Sequence, residues 1–428
     1  MLLLISQVGR THQIYLDLPL PAKFQKLHLL SEFKCTGIAQ PIHCAMLAMK
    51  LAMSTTEFFR NRKLWSERKH RLLEKYLRPF ATKVAKTTKT REVFIVDGFA
   101  GRARYDDGSE GSPLLIAKFS NIANSWSDSV LLKLIDVEPD VETFRLLEES
   151  TKAWIERGVV VNINRTFQDA LSDILRLIRN SPALFFLDPY GPTFIHFEDL
   201  TPILRRTAGA TEIIVNFDAD GLYRIARGAL STKTELKTAA AFADQVTKII
   251  GSDSWLEIFE NSSMDAAEGE NYLLGKYLEN MRGHMSFVFA YPIREALDKR
   301  PKYHFVFGTR HYDGVELMND FVRHEDDLIF GEHIETTSPL FQNLDLGGQA
   351  IQARRGILRT IMSNYFKGEK LIVRSRMIPQ LINAHFGKFD LKDYRSVFDE
   401  YVRSGKLITN DNTTGIDLRR FTFADEDQ

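Results

Sequence analysis

Seven short apolar runs alternate with amphipathic stretches in the middle of the chain, and this alternation constrains the fold more than any other feature. The runs are rich in Val, Ile, Leu and Phe, as are strands that are buried on both faces of a sheet. They span residues 93–96, 130–135, 159–161, 183–187, 212–215, 285–290 and 303–308. Strands that alternate with helices favour a parallel sheet covered on both faces, which is a Rossmann-like α/β architecture.

Apolar residues at helical spacing fill the intervals between the runs. Residues 65–77 show this spacing and predict a helix that ends before Pro79. Ser112 followed by Pro113 predicts the start of another helix, with the serine as N-cap and the proline at the first helical position. Residues 222–282 are rich in helical patterns and fall between the fifth and sixth runs, so we interpret them as an insertion over the functional edge of the sheet.

The length of 428 residues suggests two or three domains. Residues 1–52 lack a sustained period and contain three prolines, so we expect a poorly structured arm. Met53-Ser-Thr-Thr is typical of a natural start, and our interpretation is that the arm comes from a misassigned start codon; a loosely packed arm is the alternative. We assign residues 53–335 to the α/β domain, and residues 326–348 have the composition of a linker.

Residues 349–428 form a second patterned unit. Three amphipathic stretches predict helices, and two short strand-like stretches around a turn predict a β-hairpin. The predicted helices span 351–365, 376–385 and 391–404, and the hairpin strands span 405–408 and 416–422. Three helices closed by a hairpin are the outline of a winged helix, a module that binds nucleic acid.

Composition excludes several classes of function. The formal net charge is zero, so no global field favours nucleic acid or membrane binding, and no apolar run reaches the roughly 18 residues that span a bilayer. We therefore expect a cytoplasmic protein. Cys35 and Cys44 both lie in the first fifty residues, which excludes a cysteine-based zinc site or nucleophile in the body of the protein. The histidines lack metal-site spacing; only His311, which follows a predicted strand, merits a test.

Acidic residues follow the first three predicted strands, where open α/β sheets bind ligands. The first strand ends in Asp97-Gly-Phe99-Ala-Gly101, which brings backbone and carboxylate close to a ligand but is not the dinucleotide pattern G-x-G-x-x-G. After the second strand, Asp136 is our first choice and Glu138 our second for holding two ribose hydroxyls. A solvated acid at a strand end is the plain alternative.

Asp169 follows the third predicted strand and has two interpretations. Its carboxylate is placed to bind an adenine amino group, or it favours the positive end of the helix dipole in the first turn of the next helix. The sequence leaves both open.

The fourth strand ends in Asp188-Pro-Tyr190-Gly191. An acid and an aromatic ring at this point suit an acceptor amine that attacks a methyl sulfonium, because the carboxylate holds the amine protons and the ring stacks on the acceptor. The motif resembles the D-P-P-Y motif of amino methyltransferases with one proline missing, which weakens the case for methylation of a base. Asp188 and Tyr190 are the predicted catalytic residues, and a rigid strand-to-loop turn is the alternative.

Several motifs together resemble the three-Cys-motif partner family, TcmP. They occur in order along the chain, from the helix at 65–77 to the C-terminus. They are Asp97-Gly-Phe-Ala-Gly101, Gly111-Ser-Pro113, Phe186-Leu-Asp-Pro-Tyr-Gly191 and Phe307-Gly-Thr-Arg-His311 with Gly314 and Met318. The resemblance implies a methyltransferase-like fold, a bacterial origin and a partner protein with three cysteines encoded nearby. Ala103 departs from the pattern, because we expect a further glycine there to leave room for the methionine end of the cofactor.

Two hypotheses follow for function. The first is an S-adenosylmethionine-dependent methyltransferase that acts on nucleic acid or on a substrate presented by its partner. The second is a catalytically inactive methyltransferase-like adaptor, or a DNA-binding protein, that works with the three-cysteine partner. The incomplete Asp188 motif and Ala103 favour the second.

Overall fold

A computed structural model defines two compact units, Met1–Phe58 and Phe59–Gln428. It describes residues 4–8, 11–15, 64–126, 130–261, 264–337, 346–409, 411 and 415–424. In the first unit, strands Leu4–Val8 and Thr11–Tyr15 pair antiparallel as a two-stranded ribbon. The rest of the predicted arm lies outside the described residues.

The second unit is built on a seven-stranded sheet. Its strands are β1 Glu92–Asp97, β2 Leu131–Val137, β3 Val160–Ile163, β4 Ala183–Leu187, β5 Thr211–Phe217, β6 Phe287–Ile293 and β7 Tyr303–Thr309. The spatial order is β3-β2-β1-β4-β5-β7-β6, and β7 alone runs opposite to the others. All seven predicted runs are confirmed as strands, and the order changes direction between β1 and β4, which places the ligand crevice there.

Helices cover both faces of this sheet because its strands bury alternate side chains in two separate apolar clusters. Ile95, Phe186 and Ile214 belong to one cluster, while Val96 and Val215 belong to the other. The helices are α1 Leu64–Ala85, α2 Ser112–Ala123, α3 Val141–Ile155, α4 Phe167–Ile178, α5 Phe197–Leu204, α6 Ala219–Ala229, α7 Leu236–Ile250, α8 Trp255–Asn261, α9 Ala266–Arg282 and α10 Tyr312–Thr337. Helices α6 to α9 lie between β5 and β6, in the segment that the sequence analysis interprets as an insertion.

Three predicted boundaries are wrong. Helix α1 continues through Pro79 to Ala85, because Phe80 and other residues beyond the proline are buried in the core and this packing outweighs the lost hydrogen bond. The N-cap of α2 is Gly111, so the following serine is the first helical residue and the proline the second. The predicted linker is helical from residue 326 through Thr337.

The C-terminal elements confirm the predicted helices and hairpin and add one short strand. They are α11 Leu346–Gly368, β8 Ile372–Val373, α12 Arg374–Ala384, α13 Leu391–Arg403, β9 Leu407–Ile408 and β10 Arg420–Phe423. The three strands form an antiparallel sheet in the order β8-β10-β9. This region packs on α10, where the Asn319 amide donates to the Phe389 carbonyl at 2.8 Å and accepts from the Gly387 N–H at 2.9 Å.

A buried carboxyl group joins α1, β5 and β7 at the edge of the sheet where β5 begins. The Glu212 carboxylate accepts from the Tyr76 hydroxyl at 2.5 Å and from the Thr309 hydroxyl at 2.8 Å. Gly314 lies against this cluster, and a Cβ atom there would stand 2.6 Å from Glu212 Oε1. The motif that contains Thr309 and Gly314 therefore serves packing.

Gly314→Ala should lower the free energy of unfolding by roughly 1–3 kcal/mol, because the added methyl group overpacks this cluster. Gly331→Ala, in the same helix but with no atom within 4 Å of the added Cβ, should raise it by about 0.5–1 kcal/mol through helix propensity alone. Urea denaturation of the two variants measures both effects. Changes of the same sign in both would contradict the role given to Gly314.

Candidate functional site

Two buried carboxyl groups stand side by side at the carboxyl edge of the sheet. Asp97, the last residue of β1, lies opposite Asp136 of β2, and both are 0% exposed. Asp97 Oδ1 accepts a hydrogen bond from the Phe99 N–H at 3.2 Å. Asp97 Oδ2 and both Asp136 oxygens have no hydrogen-bond partner within the described part of the chain. Three acceptor atoms therefore lack donors where the fold places a ligand.

Burial sets the electrostatics of this pair. It raises the pKa of Asp97 to about 7, and it also raises the pKa of Asp136, with the charge of Asp97 as a further cause. A buried acid with few donors is costly in its ionised form, and for Asp97 the hydrogen bonds from the Ser112 side chain and the Phe99 N–H offset burial only in part, so its pKa stays raised. A ligand that supplies hydroxyl or ammonium donors would remove this cost.

Glu138 holds the loop that follows β1. Its Oε2 accepts from the Gly101 N–H at 3.1 Å and its Oε1 accepts from the Asp140 N–H at 2.9 Å. Burial raises the pKa of Glu138 to about 7. Because its two oxygens already bind backbone, Glu138 braces the loop, and Asp136 is the better ligand of the two.

The loop itself needs unusual backbone conformations. Gly101 has a φ of 63°, in the left-handed region that favours glycine, and Ala103 has a φ of 65° there without being glycine. Ala103 is buried, and it belongs to a small apolar cluster with Leu114. Phe99 is half-buried, with its ring centroid 6.0 Å from that of Phe167.

Asp188, which follows β4, forms a buried ion pair that the sequence analysis missed. The Lys69 Nζ of α1 donates to both carboxylate oxygens of Asp188 at 2.7 Å. Lys69 is 2% exposed, and its Nζ lies 4.8 Å from the ring centroid of Tyr303 at the start of β7. The sequence feature that could have pointed to this pair is the position of Lys69, which occurs at helical spacing among the apolar residues of α1.

Asn216 of β5 is a second residue that sequence reasoning missed. Its neighbour Val215 is paired with Leu187 of β4, so Asn216 lies beside Asp188 at the same edge. Asn216 is 1% exposed, and neither its amide nitrogen nor its amide oxygen has a hydrogen-bond partner among the residues that the structure describes. A polar residue inside an apolar strand run was the only sequence signal.

Tyr190 lies with these acids. Burial raises the pKa of its hydroxyl, and the nearby charges of Glu138, Asp188 and Asp97 raise it further. Its ring packs edge-on against that of Phe194, with centroids 6.4 Å apart. The predicted catalytic and cofactor residues that follow strands β1, β2 and β4 thus lie close together at the carboxyl edge of the sheet.

Asp169 stands apart from this group. It is exposed in the first turn of α4, where its carboxylate accepts from the Thr166 hydroxyl at 2.7 Å and its N–H donates to Thr166 Oγ1 at 3.2 Å. This is a helix-capping role, and adenine binding by Asp169 stays a prediction.

His311 is also remote from the crevice. Because β7 runs antiparallel, His311 follows the end of β7 that lies at the opposite edge of the sheet. In the described ranges, no group of three or more His, Cys, Asp or Glu side chains is arranged to hold a metal ion. No helix in those ranges is both long and apolar enough to cross a bilayer.

The mostly parallel sheet, in which β7 alone of the seven strands is reversed, fits a Rossmann-like α/β fold. No family model and no curated protein matches the sequence. Among solved structures, the O-methyltransferase TomG from Streptomyces achromogenes, in complex with SAM, is 12% identical, covers 61% of this chain and 96% of its own, and gives a TM-score of 0.28. The geranyl diphosphate C-methyltransferase from Streptomyces coelicolor is 10% identical, covers 54% and 79%, and gives 0.24. Similarity this low is no evidence for a function, so the fold class is assigned from the strand order alone.

Proposed function

We propose that this protein is an S-adenosylmethionine-dependent methyltransferase. The observation that carries the proposal is the set of buried carboxylate oxygens of Asp97 and Asp136 that have no partner among the described residues, at the carboxyl edge of a methyltransferase-like sheet. Open α/β sheets bind their ligands at this edge, beside the point where the strand order reverses.

The residues at this edge fit the cofactor. Asp136 would hold the ribose, whose two hydroxyl groups donate to its two free oxygens. Asp97 and the loop at Gly101 would hold the methionine end, whose ammonium group donates to a carboxylate. When bound, the cofactor supplies an electrophilic methyl group on a positively charged sulfur.

The wider biological setting is part of the same proposal. The motif resemblance favours membership of the three-Cys-motif partner family, with a nearby three-cysteine protein that presents the substrate in the cytoplasm. The inactive adaptor is the competing function. It is favoured by Ala103, which holds a left-handed φ of 65° at a position where the motif leads us to expect glycine.

Asp136→Ala should weaken binding of S-adenosylmethionine roughly ten- to hundredfold, because a charge-assisted hydrogen bond is worth about 1.5–3 kcal/mol. Isothermal titration calorimetry on the folded variant measures this. Asp173→Ala, an exposed acid of α4 that pairs with surface arginines, serves as the matched control and should bind as wild type does. If Asp136→Ala binds S-adenosylmethionine as tightly as wild type, Asp136 does not hold the ribose. If wild type does not bind S-adenosylmethionine, the inactive adaptor is the better proposal.

Nucleic-acid binding by the C-terminal region is a second proposed function. The order of α11, β8, α12, α13, β9 and β10, with a three-stranded antiparallel sheet, supports the winged-helix interpretation. Lys392, Arg395 and Arg403 are exposed on one face of α13, beside a groove of about 810 Å³. Arg374, by contrast, is buried and paired with acids, so it stabilises the fold and is not free to bind a phosphate.

We expect the full-length protein to bind duplex DNA or RNA with an affinity that falls steeply as salt is raised, because phosphate contacts release counterions. The triple variant Lys392→Ala/Arg395→Ala/Arg403→Ala should flatten that salt dependence, because it removes up to about three phosphate contacts. A salt-titrated gel shift measures both. Absence of binding at low salt would leave the C-terminal region as a protein-docking module.

A further inference from the structure

The buried ion pair at Asp188 bears on which atom the proposed enzyme methylates. Lys69 Nζ donates to both oxygens of Asp188 at 2.7 Å, so the carboxylate that would orient an acceptor already faces a cation. With Lys69 2% exposed, solvent screens this charge little. Any acceptor that approaches Asp188 therefore meets a fixed positive charge.

Once Asp188 has taken the proton of the acceptor and lost its charge, the Lys69 ammonium is left without a counter-charge and favours oxygen over nitrogen as the acceptor. An amine gains positive charge as its nitrogen forms a bond to a methyl group, and the Lys69 ammonium opposes that charge. A hydroxyl group instead becomes more negative as it loses its proton, and the same ammonium stabilises it. An amine and a hydroxyl group thus differ in the sign of the charge that develops on the acceptor atom beside Lys69.

The orphaned amide of Asn216 supplies an independent observation. It is buried beside Asp188, with both its donor and its acceptor unpartnered among the described residues. An acceptor oxygen can accept a hydrogen bond from the amide nitrogen of Asn216 while its own proton points to Asp188. The Tyr303 ring, 4.8 Å from Lys69 Nζ, adds an aromatic surface beside the pair.

We propose that Lys69, Asp188 and Asn216 form an acceptor site for the hydroxyl group of an alcohol or a phenol, an inference that rests on the proposed methyltransferase function. Asn216 Nδ2 donates to the acceptor oxygen and holds it. Asp188 takes the hydroxyl proton, using lone pairs that Lys69 leaves free. The cofactor supplies the methyl group: a lone pair of the acceptor oxygen forms the new carbon–oxygen bond, and the electrons of the broken carbon–sulfur bond stay on sulfur.

A matched pair of probes tests this site without turnover. Phenol and aniline differ only in the acceptor group, and ligand-observed NMR with the full-length protein measures the binding of each. Phenol should bind about tenfold more tightly than aniline, and Lys69→Met and Asn216→Leu should each weaken phenol about tenfold or more. Lys83→Met, an exposed lysine of the same helix, should leave phenol binding unchanged.

Asn216→Leu keeps the test decisive if Lys69→Met fails to fold, because it replaces an unpartnered buried amide with an apolar side chain of similar size. Equal binding of the two probes, tighter binding of aniline, or wild-type binding of phenol by Asn216→Leu would overturn the assignment. Calorimetry with S-adenosylmethionine on the same samples separates failure of the proposed function from failure of the acceptor site. If the cofactor does not bind, the methyltransferase proposal is wrong. If the cofactor binds but aniline is preferred to phenol, only the hydroxyl acceptor site is wrong.

Discussion

The ion pair between Lys69 and Asp188 fixes the helix before β1 to the carboxyl edge of β4, and the geometry of the crevice depends on it. The same helix is tied to the other edge of the sheet through Tyr76 and Glu212. Helix α1 is thus anchored at two points along the length of the sheet. Loss of one partner of a buried pair typically costs about 3–5 kcal/mol, so the crevice wall is strongly determined.

The carboxyl edge concentrates polar groups that the fold itself leaves unsatisfied. Asp97, Asp136 and Asn216 are all buried and carry oxygens or nitrogens that have no partner in the described part of the chain. Both carboxylate oxygens of the neighbouring Glu138, by contrast, bind backbone N–H groups and hold the loop. This division assigns ligand binding to the first group and support to Glu138. The unsatisfied groups are costly to fold, and ligand donors would offset that cost.

Much of this architecture was predictable from local pattern, because unbroken apolar runs identify buried strands wherever they pack. The acids at the ends of β1, β2 and β4 were predictable for the same reason, since parallel strands bring their carboxyl ends together. Lys69 and Asn216 were not, because their roles depend on which helix crosses Asp188 and on the β4–β5 register. The helix end predicted before Pro79 was wrong for a related reason, since burial of Phe80 in the core outweighs the local tendency of proline to end a helix. His311 misled because the reversal of β7 is not visible in the sequence.

The central claim is that the buried acids are completed by the donors of S-adenosylmethionine, and proton release on binding tests it most directly. Burial raises the pKa of Asp97 to about 7 and also raises that of Asp136, so near pH 6.5 Asp97 is largely protonated in the free protein. Ligand donors favour the ionised acids, so binding should release protons at that pH and fewer from Asp97 as the pH rises above its pKa. Calorimetric titration in two buffers of different ionisation enthalpy counts the protons. Tight binding without proton release at pH 6.5 would contradict the account.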